Sequence, residues 1–584
     1  MLEPLLANIF FTEQEGRTLL RAMPVLLVVL CCLMLAYRYY SAFLAAKVAA
    51  LDDANVTPAH RYYDGQNYHP TNKWVLFGHH FAAISGAGPL IGPVLAIQYG
   101  YMPGLLWLII GVCLAGAVQD MLVLAASVRR GGKSLAEIAK SELGPSASII
   151  VSAAILFIVV IALAGLGFVV VKALGGEEIK LAAGTRVTLP AGTEVTLVSQ
   201  ASDGNVYAFP QGCQIRYTPT SPVMDRPEAI RVQTPPGPPL APDAERTVVL
   251  PAKSFQIVEG SSWGTFTIAC TVPIALFVGL YMYKIRKGHV VEASLIGAVG
   301  VLLATVAGNW VANSHWREYF LLTKEQTVLA LTGYGFIASV LPVWMLLCPR
   351  DYLSSFLKIG TIALLVVGVL LANPTLHHPP VNQVFNTPEG GPTFRGQIFP
   401  FVFICVMCGA ISGFHALVSS GTTPKMVDKE SQVRMIGYGS MLMEGLVGVM
   451  ALIAAASLPV DLYFEINTSL TDVEKFQPKL NEVYATYGGQ REAGDPLHAT
   501  NVHGVQHYNL AEIEKQVGNE SLRGRTGGAV TLAVGMALIF TEAFDRINLN
   551  IEGVIAYWYH FAIMFEALFI LTTIDTGTRI ARFL

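Results

Sequence analysis

Gly78-His-His-Phe-Ala-Ala-Ile-Ser-Gly-Ala-Gly-Pro-Leu-Ile-Gly-Pro93 puts three glycines and two prolines into the second half of a run that is otherwise apolar and long enough to cross a bilayer. A single helix does not pass smoothly through Gly86, Gly88, Pro89, Gly92 and Pro93, because proline removes a backbone donor and glycine weakens helical order. Hydrocarbon tolerates the unpaired backbone groups only where the break is buried in protein or lines a wet cavity. Discontinuous helices of this kind carry the substrate and ion sites of secondary transporters. The stretch therefore predicts a carrier built around a broken span at 75–99.

The rest of the chain is compatible with that. Its 584 residues are 53% hydrophobic and only 14% charged, against roughly a quarter charged in soluble domains, which predicts an all-α polytopic membrane protein embedded in lipid. A net charge of −3 and the lack of a basic block with interleaved aromatics exclude nucleic acid as a partner. Of eight cysteines only Cys213 lies in a polar region, so there is no disulfide framework. Glu3, Glu13 and Glu15 precede the first apolar run without a small-residue cleavage site, so that run reads as a retained span.

Apolar runs of about 20 residues place spans near 23–46, 75–99, 103–128, 147–173, 264–284, 291–312, 326–348, 354–372, 397–421, 433–457 and 551–573. Lys and Arg concentrate on the cytoplasmic side of span ends. Arg129, Arg130, Lys133 and Lys140 fix one loop inside, and Lys284, Arg286 and Lys287, then Arg350, then Lys425, Lys429 and Arg434 follow on the same side. Arg579 and Arg582 join them only if 527–543 is re-entrant; a full crossing is the rival reading. The resulting organisation is a membrane part at 1–173, an extracytoplasmic insert at 174–262, a second membrane part at 263–457, a partly helical extracytoplasmic region at 458–525, and a re-entrant or spanning segment with a last span at 526–584. The insert reads as β-rich, from alternating stretches such as Glu194-Val-Thr-Leu-Val-Ser199 separated by Pro235-Pro-Gly-Pro-Pro239.

A second interruption lies in 397–421, where Cys408-Gly-Ala-Ile-Ser-Gly-Phe-His-Ala-Leu-Val-Ser-Ser-Gly-Thr-Thr-Pro424 mixes apolar length with breakers and hydroxyls. Its Ala410-Ile-Ser-Gly413 repeats Ala83-Ile-Ser-Gly86. The first broken span runs outward and the second runs back, as an inverted repeat requires.

Five stretches carry a resemblance to a known family: Asn72-Lys-Trp-Val-Leu-Phe-Gly-His-His-Phe-Ala-Ala-Ile-Ser-Gly-Ala-Gly-Pro89, Leu114-Ala-Gly-Ala-Val-Gln-Asp120, Pro349-Arg-Asp-Tyr-Leu-Ser-Ser-Phe-Leu-Lys-Ile-Gly360, Ser412-Gly-Phe-His-Ala-Leu-Val-Ser-Ser-Gly-Thr-Thr-Pro-Lys425 and Trp558-Tyr-His-Phe-Ala-Ile-Met-Phe-Glu-Ala-Leu-Phe-Ile-Leu571. With these the chain resembles the carbon starvation protein A family, outside 174–262 and 458–525. The resemblance implies a prokaryotic inner-membrane transporter of the amino acid–polyamine–organocation type, taking up peptides or pyruvate, the latter with a proton. It also implies further spans beyond Leu584.

Ionisable residues inside spans are costly and mark pathways. Asp120 and Glu444 are candidates for ion coupling, with Glu566 behind them. His79 and His80 open the first broken span, but adjacent helical residues point about 100° apart, so they do not share a metal; one is expected to face the pathway and assist ion coupling. His415 lies within the second break and is the better functional histidine. Ser85, Gly86, Gly88, Ser412, Gly413, His415, Ser419 and Thr422 are the expected substrate contacts, through hydroxyls and unwound backbone. Hydroxyls also patch broken backbone, which is the plainer reading of the serines and threonines.

No metal, cofactor or catalytic centre is expected. The glycines at 86, 88 and 92 miss the dinucleotide spacing and no phosphate loop is present. Cys405-Val-Met-Cys408 reads as small-residue packing, and His503 with His507 as a solvated loop. The chain is thus read as no enzyme but an inverted-repeat secondary transporter moving a small organic molecule by symport. Proton and sodium coupling both remain open, as does the oligomeric state. A channel would need repeated charged or carbonyl rings; a membrane nutrient sensor acting through 174–262 is the other rival.

Overall fold

Long apolar runs become long helices, and the glycine, proline and hydroxyl clusters become the places where helices stop. The structure is a computed structural model. It describes residues 9–582 except 15–16, 66, 202–203, 220–222, 227, 287–288, 341–346, 488–509, 518–519 and 549–552.

The helices used below are α1 (Ala22–Val48), α2 (Lys73–Ile84), α3 (Gly88–Tyr99), α4 (Tyr101–Arg129), α5 (Pro145–Leu174), α6 (Ser262–Leu280), α7 (Val290–Ala312), α8 (Lys324–Val340), α9 (Leu347–Ala372), α10 (Ile398–Cys405), α11 (Met407–Ala410), α12 (Gly413–Ser419), α13 (Glu430–Ala456), α14 (Val460–Asn467), α15 (Val473–Tyr487), α16 (Leu510–Gln516), α17 (Ala529–Arg546) and α18 (Val554–Arg582). Among the described residues eight helices are long and apolar enough to cross a membrane, and the α2–α3 pair makes a ninth if its two halves form one span. The eleven expected spans are reduced for two reasons. The segment 397–421 is cut into three short helices, and the end of the expected 326–348 span, residues 341–346, lies outside the described residues.

Both interruptions fall at the repeated tetrapeptide. The α2 helix, capped at its start by the Asn72 side chain, ends at Ile84; Ser85 is extended (φ −80°, ψ 94°). Pro89 sits in the first turn of α3, where its missing N–H is harmless, and the two halves meet at 50°. In the second break Ile411 (φ −161°, ψ 131°) and Ser412 (φ −137°, ψ 131°) are extended before α12 begins at Gly413. The same Ala-Ile-Ser-Gly stops a helix both times, at its serine in the first break and at its isoleucine in the second.

The broken segments lie against each other with opposite chain directions. His80 bonds Thr423, Gly88 faces Cys408, and Gly92 faces Cys405, whose thiol donates to the Gly92 carbonyl at 2.9 Å. A β-carbon at Gly88 would overlap the Cys408 side chain and one at Gly92 the Cys405 carbonyl, so these glycines set how closely the segments approach. Around them packs α13, buried along nearly its whole length. Gly445 and Gly448 meet Val112 and Leu108 of α4, and Gly437 meets the backbone at Met121.

Loops close the bundle at both ends. At one end Gln98 Oε1 accepts from the Thr393 N–H at 2.8 Å and Tyr99 donates to the Gly396 carbonyl at 2.9 Å. At the other, Glu430 takes Arg129 at 2.7 Å and the Asp52 N–H at 2.8 Å. The α17 helix runs along the first of these ends: Gly528 packs on Ile91 and Leu95, Gly535 on Ala454, and Phe540 under Gly368.

Among the described residues nine strands fill 177–258: β1 (Glu177–Lys180), β2 (Arg186–Thr188), β3 (Thr196–Ala201), β4 (Gly204–Phe209), β5 (Cys213–Arg216), β6 (Met224–Arg226), β7 (Ile230–Thr234), β8 (Thr247–Val249) and β9 (Phe255–Val258), in two antiparallel sheets with orders β8-β2-β5-β6 and β1-β9-β7-β4-β3. Val187, Phe209, Ile215, Val232 and Val248 form their shared core. Arg226 leaves that core to pair with Glu514 of α16 at 2.7 Å, with both side chains buried, and Leu470 packs into it. The insert and the 458–525 region therefore form one joined lobe. Burial outweighs the Arg523 guanidinium 2.6 Å away and carries the carboxyl of Glu465, on α14, up to about 7. His503 and His507 lie outside the described residues.

Candidate functional site

The second break gathers ionisable groups from three helices. His415 projects from α12 one turn past the break, and Asp120 stands on α4 just beyond a π-type turn at Val112–Gly116, an irregularity frequent at functional sites. Glu444 comes from the middle of α13. His415 Nδ1 is 3.6 Å from Asp120 Oδ2, and Nε2 is 3.2 Å from Glu444 Oε2. All three side chains are buried. Burying two carboxylates and an imidazole is costly unless they share charge and hydrogen bonds, so their convergence is not a packing accident. Asp120, His415 and Glu444, expected separately, form one cluster.

Cys408 joins them, its thiol 3.8 Å from Glu444 Oε1. The Cys408 sulfur, an imidazole nitrogen and a carboxylate oxygen lie within 4.8 Å of one another, near enough to share a proton or a small cation. Packing was the expected role of Cys408; it has a polar neighbour as well. Met441 Sδ approaches His415 Nδ1 at 3.1 Å, and Gln119, beside Asp120, donates to the freed Ser412 carbonyl at 2.7 Å. That last bond ties α4 to the exposed backbone of the break.

Glu444 Oε2 is held by the His415 ion pair, while both Asp120 oxygens, Ser419 Oγ and Thr422 Oγ1, and Ser85 Oγ at the first break, are buried with no hydrogen-bond partner among the described residues. Buried polar atoms are normally satisfied, and leaving one unsatisfied costs about 1–3 kcal/mol. Gly413, which opens α12, is exposed, and an added β-carbon there would meet nothing within 4 Å.

The first break is different. Gly86 faces Thr573, with 2.9 Å from its would-be β-carbon to Oγ1, and Gly88 is filled by Cys408. His80 donates to or accepts from Thr423 Oγ1 at 2.8 Å, tying the two broken segments together, and His79 is buried beside it. The two histidines thus stand near the cluster without joining it. Glu566 is buried on α18 away from it, both oxygens lacking a hydrogen-bond partner among the described residues.

Lys358 was missed. It lies inside the expected 354–372 span, and its fully buried ammonium donates to carbonyls at the first break. A lysine four residues into an apolar span was the available signal.

The family model described as Carbon starvation protein CstA matches residues 21–584. The chain is 41% identical over 557 residues to the "Peptide transporter CstA" of Escherichia coli (strain K12), covering 95% of this chain and 65% of that relative. A Mycobacterium tuberculosis relative of the same name is 40% identical over 95% of this chain and 60% of its own length. The "Pyruvate/proton symporter BtsT" of Escherichia coli (strain K12) is 39% identical over 94% of this chain and 65% of that relative. The chain spans about 60–65% of the length of these relatives. No solved structure matches.

Proposed function

The chain belongs to the carbon starvation protein CstA family, and from that membership we propose that it is a proton-coupled symporter importing peptides or pyruvate across a bacterial inner membrane. The observation that carries the reading is the Asp120–His415–Glu444 cluster, buried beside a helix break whose next helix opens at the exposed Gly413.

Charge arithmetic connects that cluster to coupling. Lys358 lies within electrostatic reach of Glu444. With Lys358 and His415 protonated and Asp120 and Glu444 ionised, the four groups sum to zero. An entering monoanion makes the sum −1, and one proton on a carboxylate restores it. Net charge in a low-dielectric interior is expensive, so substrate and proton are driven to enter and leave together, one for one. The carboxylate of the substrate would meet His415 and the N–H groups opening α12 at Gly413, with Ser412, Ser419 and Thr422 supplying hydroxyl or backbone contacts and Ser85, Gly86 and Gly88 bounding the site from the first break. Asp120 and Glu444 would carry the proton, with His79 and His80 placed to pass it.

The two antiparallel broken segments support an inverted repeat and alternating access around this site. The β lobe with its α16 joint is read as extracytoplasmic and α17 as re-entrant, which keeps Arg579 on the cytoplasmic side with Lys425 and Arg129. Uptake of labelled pyruvate and of a labelled dipeptide into proteoliposomes tests the proposal. Accumulation driven by an inside-alkaline pH gradient is expected for one or both, and tight vesicles that accumulate neither contradict it.

A further inference from the structure

Cys408, His415 and Glu444 are the one set of three metal-ligating side chains, among the described residues, whose donor atoms all lie within 4.8 Å of one another. Cys408 Sγ is 3.8 Å from Glu444 Oε1, and His415 Nε2 is 3.2 Å from Glu444 Oε2. Metal bonds of about 2.3 Å to sulfur and about 2.0–2.1 Å to nitrogen and oxygen set tetrahedral donors about 3.3–3.6 Å apart. The three atoms therefore already stand near the corners of such a site. While Nε2 of His415 turns to Glu444, its Nδ1 faces Asp120 Oδ2 at 3.6 Å and Met441 Sδ at 3.1 Å. A carboxylate behind the far ring nitrogen is how metal-binding imidazoles are oriented. His415 and Glu444 are buried, and Cys408 is half-buried, which gives an ion an approach from the sulfur side.

Thiolate, imidazole and carboxylate in one set select a borderline or soft divalent ion over sodium or magnesium. We propose that Cys408, His415 and Glu444 form a binding site for zinc or a similarly thiophilic divalent cation, and that the ion inhibits the carrier by taking the donors the coupling proton needs. Coordination releases the thiol proton of Cys408 and the imidazolium proton of His415 to solvent, so two positive charges leave as two arrive. The cluster keeps its zero sum with Lys358 and Asp120, and the ion is held without a net buried charge, while Glu444 no longer accepts a proton. The binding site stands on geometry alone; the inhibition rests on the symport reading.

Binding is read without substrate or transport, so its failure is separable from failure of the uptake experiment. The purified full chain is titrated with cadmium chloride, whose bond to a thiolate absorbs in the ultraviolet. The wild type is expected to give a band that saturates at one cadmium per chain, is removed by competing zinc and not by magnesium, and appears with release of about two protons. Cys408→Ala is expected to lose the band, Cys31→Ser/Cys32→Ser to keep it, and Asp120→Asn to weaken cadmium affinity about tenfold. In proteoliposomes zinc is expected to suppress uptake driven by a pH gradient. A wild type without the band overturns the site, as does a band that survives in a folded Cys408→Ala protein or disappears in Cys31→Ser/Cys32→Ser. Wild-type vesicles that bind zinc and accumulate substrate undiminished overturn the inhibition.

Discussion

The two helix breaks share the tetrapeptide Ala-Ile-Ser-Gly and an extended serine, yet their surroundings differ. At the first, Lys358 takes the freed carbonyls and Thr573 and Cys408 crowd the glycines. At the second, the freed carbonyl goes to Gln119, Gly413 borders open space, and His415 meets two carboxylates. Local sequence sets where the backbone unwinds, while residues arriving from α4, α9, α13 and α18 set what the unwound backbone is for. One break is filled by a lysine and crowded glycines; the other sets a histidine between two carboxylates.

Glycine substitution should break that contrast most sharply. Gly413→Leu, at an exposed position where an added β-carbon meets nothing within 4 Å, is expected to obstruct the approach to the second break and abolish substrate binding while the protein melts near the wild-type temperature. Gly88→Leu drives into Cys408 instead and is expected to lower stability by ~1–3 kcal/mol, the usual range for overpacking. Binding titrations beside melting curves distinguish them; the same phenotype for both would erase the distinction.

Hydroxyl removal sharpens the contrast at smaller scale. Ser419→Ala should weaken the apparent substrate affinity about fivefold, the worth of one hydrogen bond of ~1 kcal/mol. Ser85→Ala, beside the lysine-filled break, should leave it unchanged. Equal losses would mean that both breaks touch substrate.

The smallest effect concerns a pH dependence that must not be mistaken for coupling. Glu465 in the lobe has its folded pKa raised from 4.5 to about 7. Below about 4.5 both folded and unfolded forms are protonated and it contributes nothing to the pH dependence. Between there and about 7 the folded state keeps a proton that the unfolded state has released, so stability falls as pH rises. Glu465→Gln should flatten this slope by on the order of 1 kcal/mol per pH unit and leave the pH dependence of uptake intact, measured by melting and transport over the same pH range.

Much of this was legible in the sequence, for physical reasons. Glycines and prolines crowded with hydroxyls in an apolar run favour a break, so 75–99 and 397–421 declared themselves, whereas the lone Pro273 of α6 and Gly165 and Gly167 of α5 are carried inside continuous helices. Asp120, Glu444 and His415 stood out because charge in hydrocarbon is costly. Their meeting was not legible, since it depends on how α4, α12 and α13 pack, and no local spacing encodes that. Cys408 and Gly88 looked independent but occupy one contact. Lys358 lay in plain view inside a span, although its partners come from α2 and α18. The strands of the insert were visible as alternation, whereas the Arg226–Glu514 bridge that joins it to α16 spans 288 residues of sequence.

The central claim, that the second break carries the coupling proton, is tested most directly by Asp120→Asn in proteoliposomes, with pyruvate and dipeptide uptake under a pH gradient measured beside exchange at equal pH. Loss of accumulation with exchange retained is the predicted result. Undiminished accumulation driven by the pH gradient would contradict it.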